Sequence, residues 1–149
     1  MTDAATATGA VGERRGPLSD LRVVEMGQLL AGPFCGQLLG DFGAEVIKLE
    51  PPGVGDPMRQ WGREKPHGKS LWWPVVARNK KSVTCNLRSP EGQVLARRII
   101  AEADIVVENF RPGTLERWGL GFEELRADNP GLIICLLYTS PSPRDRTRS

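Results

Sequence analysis

Apolar residues recur with two different periods along this chain, and the changes of period divide it into alternating strands and helices. Short apolar runs that contain β-branched residues predict five strands, at residues 21–26, 45–50, 82–87, 104–110 and 132–135. Between these runs the apolar residues recur at helical spacing, and Gly or Pro residues mark the ends of the helical segments. Because strands and helices alternate, the sequence predicts an α/β fold with an open, mostly parallel, doubly wound sheet.

Local signals place the helices between these strands. The first helix is expected to have Pro33 in its first turn, where the missing N–H costs nothing, and to stop at Gly43. A second helix starts after Ser89, a favourable N-cap residue that is followed by proline. Residues 114–129 are predicted to be mostly helical. The long passage 51–81 is irregular, with a short helix expected at 70–76, and loops of this length are usually functional or partly helical.

Both ends of the chain lack either period. Residues 1–17 are rich in Ala, Thr and Gly without the apolar core of a secretory signal, so a disordered leader is expected. Residues 136–149 turn abruptly to Ser, Pro, Thr and Arg, which favours a disordered tail, or a non-native one from a truncated or mis-assembled reading frame. One domain is therefore expected at 18–135, which a chain of 149 residues can accommodate.

Charge argues against a nucleic-acid partner. The formal net charge is +2, and the surplus of arginines over aspartate in 136–149 accounts for all of it, so residues 1–135 are neutral. A neutral body lacks the basic surface that nucleic-acid binding requires.

Cysteine and hydropathy patterns restrict the class of protein further. The chain has an odd number of cysteines, Cys35, Cys85 and Cys135, and their spacing does not match any metal-binding motif. The single histidine, His67, does not belong to a metal-binding or catalytic motif either. These features favour reduced, buried thiols in a cytoplasmic protein without a bound metal. No run approaches the ~18 apolar residues of a membrane helix, so no membrane partner is expected.

One stretch carries the clearest chemical signal. Residues 106–113 (VVENFRPG) read as a buried strand that ends in a polar Pro-Gly turn, with a basic helix predicted just beyond. Ligands of open α/β sheets bind outside the carboxyl ends of strands. The free N–H groups of a helix start suit a phosphate, and Arg117, one turn in, can add a fork of donors. The stretch predicts an anion site.

Further motifs narrow this prediction when they are taken in order. They are 30–35 (LAGPFC), 39–53 (LGDFGAEVIKLEPPG), 55–59 (GDPMR), 78–82 (RNKKS), 89–92 (SPEG) and 108–113 (ENFRPG). Together they closely resemble the family III CoA-transferases, which include formyl-CoA:oxalate and carnitine CoA-transferases and α-methylacyl-CoA racemases. The resemblance runs from about Leu18 to Cys135. It implies the N-terminal part of a Rossmann-like domain that binds CoA or acyl-CoA, with a smaller second domain elsewhere in the protein.

The resemblance also implies a mechanism and an assembly. Its transferases move CoA from an acyl-CoA to a carboxylic acid through an aspartate side chain, by way of a mixed anhydride and an aspartyl-CoA thioester. The family aspartate follows a glycine-rich loop after the strand at 132–135, a region that this chain does not match, so no catalytic residue is assigned within it. The isolated chain is therefore expected to be inactive. The full-length form is expected to be an interlocked homodimer.

Site residues are carried over by position. Asn109, Phe110 and Arg111 match the turn that contacts the CoA nucleotide, and Arg117 matches the arginine expected at the CoA phosphates.

A second group of site residues comes from the two preceding strand ends. Arg88 falls where formyl-CoA transferases have a lysine beside the nucleotide, and Asn86 and Leu87 are expected on the same strand end. Backbone N–H groups near Ala31, at the first strand-to-helix turn, would lie where oxyanion charge develops.

Two departures from the family pattern argue against a formyl-CoA:oxalate enzyme. Pro51 replaces an arginine near the nucleotide phosphate, and Leu30 replaces an active-site glutamine, although Gln28 lies nearby.

Other functions stay open at this point. A racemase-type relative would move a proton at the acyl α-carbon and need an acid/base pair beyond this chain. A plain dinucleotide-binding module is disfavoured, because residues 27–33 lack the G-x-G-x-x-G spacing. An open reading frame without function is the remaining alternative.

Overall fold

Five parallel strands form one open sheet, and helices pack on both of its faces. The structure is a computed structural model and describes residues 16–137. The strands are β1 Arg22–Glu25, β2 Glu45–Glu50, β3 Lys80–Thr84, β4 Ile105–Glu108 and β5 Ile133–Leu136. The helices are α1 Ala31–Asp41, α2 Trp72–Val76, α3 Pro90–Ile100, α4 Thr114–Arg117 and α5 Phe122–Asp128. Two short 3₁₀ turns, Pro57–Gln60 and Pro66–Gly68, lie between β2 and α2.

The strand order β3-β2-β1-β4-β5 creates a switch point in the middle of the sheet. The chain proceeds outward from β1 through β2 to β3, and α3 then carries it back to β4 on the other side of β1. All four strand pairs are parallel. The predicted doubly wound α/β fold is confirmed, and its ligand crevice is expected where β1 and β4 meet, outside their carboxyl ends.

The core has two layers because successive strand residues point to opposite faces. Val24 packs in a cluster with Ala96 and Ile100 of α3, whereas Val23 packs in a second cluster that includes Leu39 of α1. Burial on both faces explains why β1 and β4, in the middle of the sheet, carry adjacent buried valines, whereas β3, at one end of the sheet, is only partly buried.

Helix α1 packs on the sheet mainly through small residues, together with Leu39, while its other large apolar residues stay exposed. A β-carbon at Gly36 would lie 2.3 Å from Glu25 Oε2, so only glycine permits this close approach. Phe34, Leu38 and Phe42 form an apolar stripe on the opposite side and remain 48%, 41% and 55% exposed. Their helical spacing correctly predicts the helix, and the small-residue stripe decides which side is buried.

Strand β3 differs most from its predicted position. It spans Lys80–Thr84 instead of 82–87, because it pairs with β2 in a register that places Lys80 opposite Val46. Asn86 and Leu87 therefore lie in the turn after the strand, not on its end. That turn is fixed by the start of α3, since a β-carbon at Gly92 would lie 1.9 Å from the Asn86 carbonyl oxygen.

The predicted helix over 114–129 is two helices. Gly119 has a φ of 65°, a left-handed conformation that ends α4 after a single turn, and α5 then begins at Phe122. The helix that follows the predicted anion site is therefore only one turn long.

The ends of the described region lie close to the predicted domain limits. Strand β5 includes Leu136, and the Leu137 N–H donates to the Glu108 carbonyl at 2.8 Å, so these two residues of the predicted tail continue the sheet. Gly16 and Pro17 lie in the turn that precedes β1. The rest of the predicted leader and tail lies outside the described residues.

Candidate functional site

A cavity of about 690 Å³ opens at the carboxyl ends of β1 to β4. Its wall combines residues that follow each of these strands with residues of α4. The lining residues are Met26, Gln28, Leu49, Pro51, Pro52, Val54, Gly55, Pro57, Cys85, Asn86, Leu87, Arg88, Phe110, Arg111, Thr114, Arg117 and Trp118. This is the crevice that the sheet topology predicts, and its volume is in the range of small-molecule and cofactor sites.

Six of the eight residues predicted for the site line this cavity. They are Asn86, Leu87, Arg88, Phe110, Arg111 and Arg117. The turn after β3 supplies Asn86, Leu87 and Arg88, the turn after β4 supplies Phe110 and Arg111, and helix α4 supplies Arg117. Their grouping agrees with the sequence prediction, and ligand binding by them stays a prediction.

Three cavity arginines give the site its charge. Arg88, Arg111 and Arg117 are exposed, and none of them forms a salt bridge with a carboxylate among residues 16–137. The guanidinium of Arg117 donates to the hydroxyl of Thr114 at 3.1 Å, which orients it along the cavity wall. Three guanidiniums on one concave surface favour a ligand that carries several anionic oxygens.

Two aromatic side chains contribute flat apolar surface to the wall. Phe110 and Trp118 pack edge to face, with ring centroids 5.3 Å apart and an interplanar angle of 77°. The cavity therefore places flat apolar surface beside cationic groups, an arrangement that suits a nucleotide.

The helix that follows the Pro-Gly turn contributes less than the sequence suggests. α4 has four residues, and Gly113 precedes it with a φ of 79°. A single turn has only a small dipole, so arginine side chains must supply most of the attraction for an anion.

The other two predicted residues, Ala31 and Asn109, do not line the cavity. Ala31 is exposed as the first residue of α1. The Asn109 amide is engaged with the backbone of Gln28: its Oδ1 accepts from Gln28 N at 2.7 Å, and its Nδ2 donates to Gln28 O at 2.9 Å. Asn109 thus joins the turn after β4 to the turn after β1.

Beneath the cavity lies a group of buried charged residues that the sequence reading missed. Lys48 Nζ lies 2.6 Å from Glu25 Oε1 and 2.8 Å from Asp56 Oδ2, and all three side chains are at most 2% exposed. Lys80 Nζ contacts the other Glu25 oxygen at 2.5 Å. Burial is the main cause that lowers the pKa of Lys80, against the opposing effect of Glu25. Glu25 and Lys48 are visible as charged residues inside the predicted strands 21–26 and 45–50, but nothing in the sequence indicates that their side chains are buried and paired.

A second buried carboxylate, Glu50, holds the loop after β2. Arg59 donates two hydrogen bonds to it, at 2.7 and 2.8 Å, and Asp56 N adds one at 2.8 Å. Burial raises the pKa of Glu50, but the hydrogen bonds from Arg59, Ser82 and Asp56 outweigh it, and the pKa is lowered to about 2. Asp56 therefore belongs to a fixed and charged framework.

Glu108, at the end of β4, has the opposite environment. It is 5% exposed, and its Oε2 accepts from Phe110 N at 2.7 Å. Burial raises the pKa of Glu108 despite this hydrogen bond, and the nearby charge of Glu116 adds to the effect. Its hydrogen bond fixes the direction in which the chain leaves β4 toward Arg111.

Metal and membrane chemistry receive no support from the described part of the chain. Among residues 16–137, no three His, Cys, Asp or Glu side chains are grouped so that they could hold a metal ion. No helix in the same range is long and apolar enough to span a bilayer.

Comparison with known proteins points in one direction. Residues 18–143 match the family described as CoA-transferase family III. Over 118 residues the chain is 70% identical to a succinyl-CoA–D-citramalate CoA-transferase of Chloroflexus aurantiacus, covering 79% of the chain and 29% of that relative. It is 50% identical over 129 residues to the alpha subunit of a succinyl-CoA–L-malate CoA-transferase of the same organism, covering 86% and 30%.

The solved structures agree with these sequence matches. A CAIB/BAIF family protein from Brucella suis superposes with a TM-score of 0.75 at 46% identity, covering 81% of this chain and 33% of that one. The chain spans about 30% of the length of the curated relatives that it matches.

Proposed function

The chain belongs to CoA-transferase family III, and on this premise we propose that it forms the CoA-binding part of an enzyme that transfers CoA from an acyl-CoA to a carboxylic acid. The observation that carries the proposal is the cavity at the switch point, whose wall includes Arg88, Arg111 and Arg117, none of them with a carboxylate partner among residues 16–137. CoA carries phosphates that need such donors, and its adenine needs an apolar surface such as the one Phe110 presents.

The proposed binding mode follows the wall of the cavity. Arg117 and Arg111 contact the phosphates from the β4 side, and Arg88 contacts them from the β3 side, with Asn86 and Leu87 beside the nucleotide. Asn109 serves the site indirectly by holding the turn after β1. The thioester end of the ligand then extends toward that turn and toward Ala31.

The chemical step is assigned to an aspartate elsewhere in the protein. Its carboxylate attacks the thioester carbonyl and expels CoA thiolate, which leaves a mixed anhydride. The thiolate then attacks the aspartyl carbonyl, releases the donor acid and forms an aspartyl-CoA thioester, from which the acceptor carboxylate takes CoA in the same way. Backbone N–H groups at the start of α1 face the developing oxyanion.

The names of the relatives suggest the substrates. Both curated relatives compared above are named for succinyl-CoA as donor and for a hydroxy-dicarboxylate as acceptor. We therefore propose succinyl-CoA as donor and a small hydroxy-dicarboxylate, with D-citramalate first, as acceptor. The departures at Leu30 and Pro51 are consistent with a substrate other than oxalate.

Assembly and location are part of the same proposal. We propose that the complete protein is an interlocked homodimer in the cytoplasm and that it acts on small-molecule substrates without nucleic acid or membrane partners. CoA is a substrate here and not a permanently bound cofactor.

A transfer assay tests the function. The complete protein that carries this chain is incubated with succinyl-CoA and, separately, D-citramalate, L-malate, glutarate and oxalate. The proposal expects a new CoA thioester and free succinate, fastest with a hydroxy-dicarboxylate. The absence of a new thioester with every acceptor would contradict it, and racemisation of an α-branched acyl-CoA would favour the racemase alternative.

A further inference from the structure

The turn between β1 and α1, residues 27–30, adopts a conformation that its own sequence does not favour. Leu29 has a φ of 66°, in the left-handed region that β-carbons disfavour. Its side chain is 37% exposed, so packing of the leucine does not explain the conformation. Contacts from outside the turn must therefore stabilise it.

Buried or half-buried side chains from three other elements hold the polar backbone groups of this turn. Lys48 donates to Gly27 O at 2.9 Å, and Asp56 Oδ1 accepts from Leu29 N at 3.1 Å. The Asn109 amide makes the two hydrogen bonds with Gln28 already described. Strand β2, the loop after β2 and the turn after β4 are thus all attached to the same three residues.

The anchors are themselves fixed. Asp56 is 1% exposed, and its second oxygen contacts Lys48, which in turn contacts Glu25. The Asp56 backbone N–H donates to Glu50. A change at Asp56 therefore cannot be absorbed by a neighbouring side chain.

Close packing leaves the turn no alternative position. A β-carbon at Gly27 would lie 2.8 Å from Gly32 Cα and 3.0 Å from Asn109 Oδ1. The turn is enclosed between the first residues of α1 and the Asn109 amide, while Gln28 reaches the cavity wall.

We propose that Asp56 and Asn109 are positioning residues for CoA transfer, which hold the backbone of residues 27–30 so that the start of α1 presents its N–H groups to the reacting carbonyl. This inference rests on the proposed function. Neither Asp56 nor Asn109 lines the cavity proposed for CoA. Their effect therefore falls on the transfer step and not on the affinity for acyl-CoA.

The test separates kcat from KM in the complete protein. Asn109→Ala and Asp56→Ala each lower kcat roughly 10- to 100-fold, as expected for a displacement of about 1 Å at the reacting centre. The KM for succinyl-CoA changes by less than about threefold, because the cavity arginines are untouched.

Matched controls use the same chemistry at the opposite end of the sheet. Asp104 accepts from Arg22 N at 2.8 Å, and Asn129 donates to Ala103 O at 2.8 Å. Asp104→Ala and Asn129→Ala remove equivalent side chain-to-backbone hydrogen bonds far from the turn, and they leave kcat unchanged.

Variants of Leu29 keep the proposal testable if Asp56→Ala fails to fold. Leu29→Val alters only a partly exposed side chain, but a β-branched residue resists the left-handed conformation, so kcat falls while KM is kept. Leu29→Gly adopts that conformation freely, retains more activity than Leu29→Val, and recovers part of the loss in Asp56→Ala.

The possible outcomes distinguish a failure of the positioning role from a failure of the proposed CoA-transferase function. A parent protein without transfer activity overturns both. An active parent whose Asn109→Ala and Leu29→Val variants keep kcat, or lose no more than the two controls, overturns the positioning role alone.

Discussion

Glu108 positions the backbone at the end of β4, and its buried charge lowers the stability of the fold. Its carboxyl group is buried at the end of β4 and accepts from Phe110 N, which sets the path of the chain into the cavity. Burial raises its pKa, so the folded protein holds the proton of Glu108 more tightly than the unfolded chain does. Ionisation of this group therefore reduces stability as pH rises from the ordinary value of a glutamate through the raised pKa.

Glu108→Gln is predicted to stabilise the fold at pH 7. Glutamine keeps an acceptor for Phe110 N and removes the buried charge. The free energy of unfolding should rise relative to the parent at pH 7, and the gain should shrink as the pH falls below the ordinary pKa of a glutamate, where Glu108 becomes protonated in both states. Urea unfolding at low protein concentration measures the difference.

Glu64→Gln serves as the control for this substitution. Glu64 is exposed in the loop before α2, so its neutralisation should change little at either pH. A change in stability for Glu108→Gln that is no more favourable at pH 7 than at pH 4 would contradict the argument.

At the scale of elements, the sequence predicts the number, order and type of the strands because apolar runs and turn residues are local signals. The parallel β1–α1–β2 unit and the N-cap of α3 follow from residues close together in the chain. The limits of β3 do not, since its register with β2 depends on pairing between distant segments. The interruption of 114–129 at Gly119 was accessible in principle, because glycine followed by a new apolar start commonly ends a helix.

The candidate site likewise contains residues that the sequence predicts and residues that it does not. Of the six predicted residues that line the cavity, Phe110 and Arg111 belong to the 108–113 motif, and the others come from the turn before α3 and from α4. Ligand binding by all six stays a prediction. The buried group of Lys48, Glu25 and Asp56 could not be predicted, because a charged residue in a strand run reads as a solvent-facing position until its partners are known. Pairing of charges from three separate segments is visible only in the folded chain.

The N-cap of α3 provides a prediction at this scale. Ser89 Oγ accepts from Gly92 N at 3.1 Å and fixes the turn that contains Asn86 and Arg88. Ser89→Ala should lower the free energy of unfolding by about 1 kcal/mol, whereas Ser89→Gly should lower it by only a few tenths. Urea unfolding of the two variants checks this, and equal losses would show that the hydroxyl does not cap the helix.

At the scale of the whole molecule, the described part of the chain leaves large apolar side chains uncovered. The stripe of Phe34, Leu38 and Phe42 on α1 is accompanied by exposed Trp72, the first residue of α2, and by Ile133 on the edge strand β5, whose side chain is 60% exposed. Exposed apolar surface and an unpaired strand edge both favour association.

The isolated 149-residue chain is therefore predicted to self-associate at micromolar concentration. Phe34→Ser combined with Phe42→Ser should shift sedimentation toward the monomer, because it removes the apolar stripe without touching the core. Val94→Ser, at an exposed position on the outer side of α3, should have little effect. If the parent chain sediments as a single monomeric species at every concentration tested, the prediction is wrong.

The central claim is that the arginines of the switch-point cavity bind CoA, and calorimetric titration of the complete protein with CoA tests it most directly. Arg117→Ala should weaken binding by about 1.5–3 kcal/mol, the range for a charge-assisted hydrogen bond. Arg98→Ala, exposed on α3 outside the cavity, should leave the affinity unchanged. Titration with dephospho-CoA, which lacks the ribose phosphate, shows which phosphate Arg117 contacts. If Arg117→Ala weakens the binding of dephospho-CoA less than that of CoA, Arg117 contacts the ribose phosphate, and if it weakens both equally, Arg117 contacts the pyrophosphate. Equal affinities of the parent, Arg117→Ala and Arg98→Ala for CoA would place the nucleotide elsewhere and contradict the account.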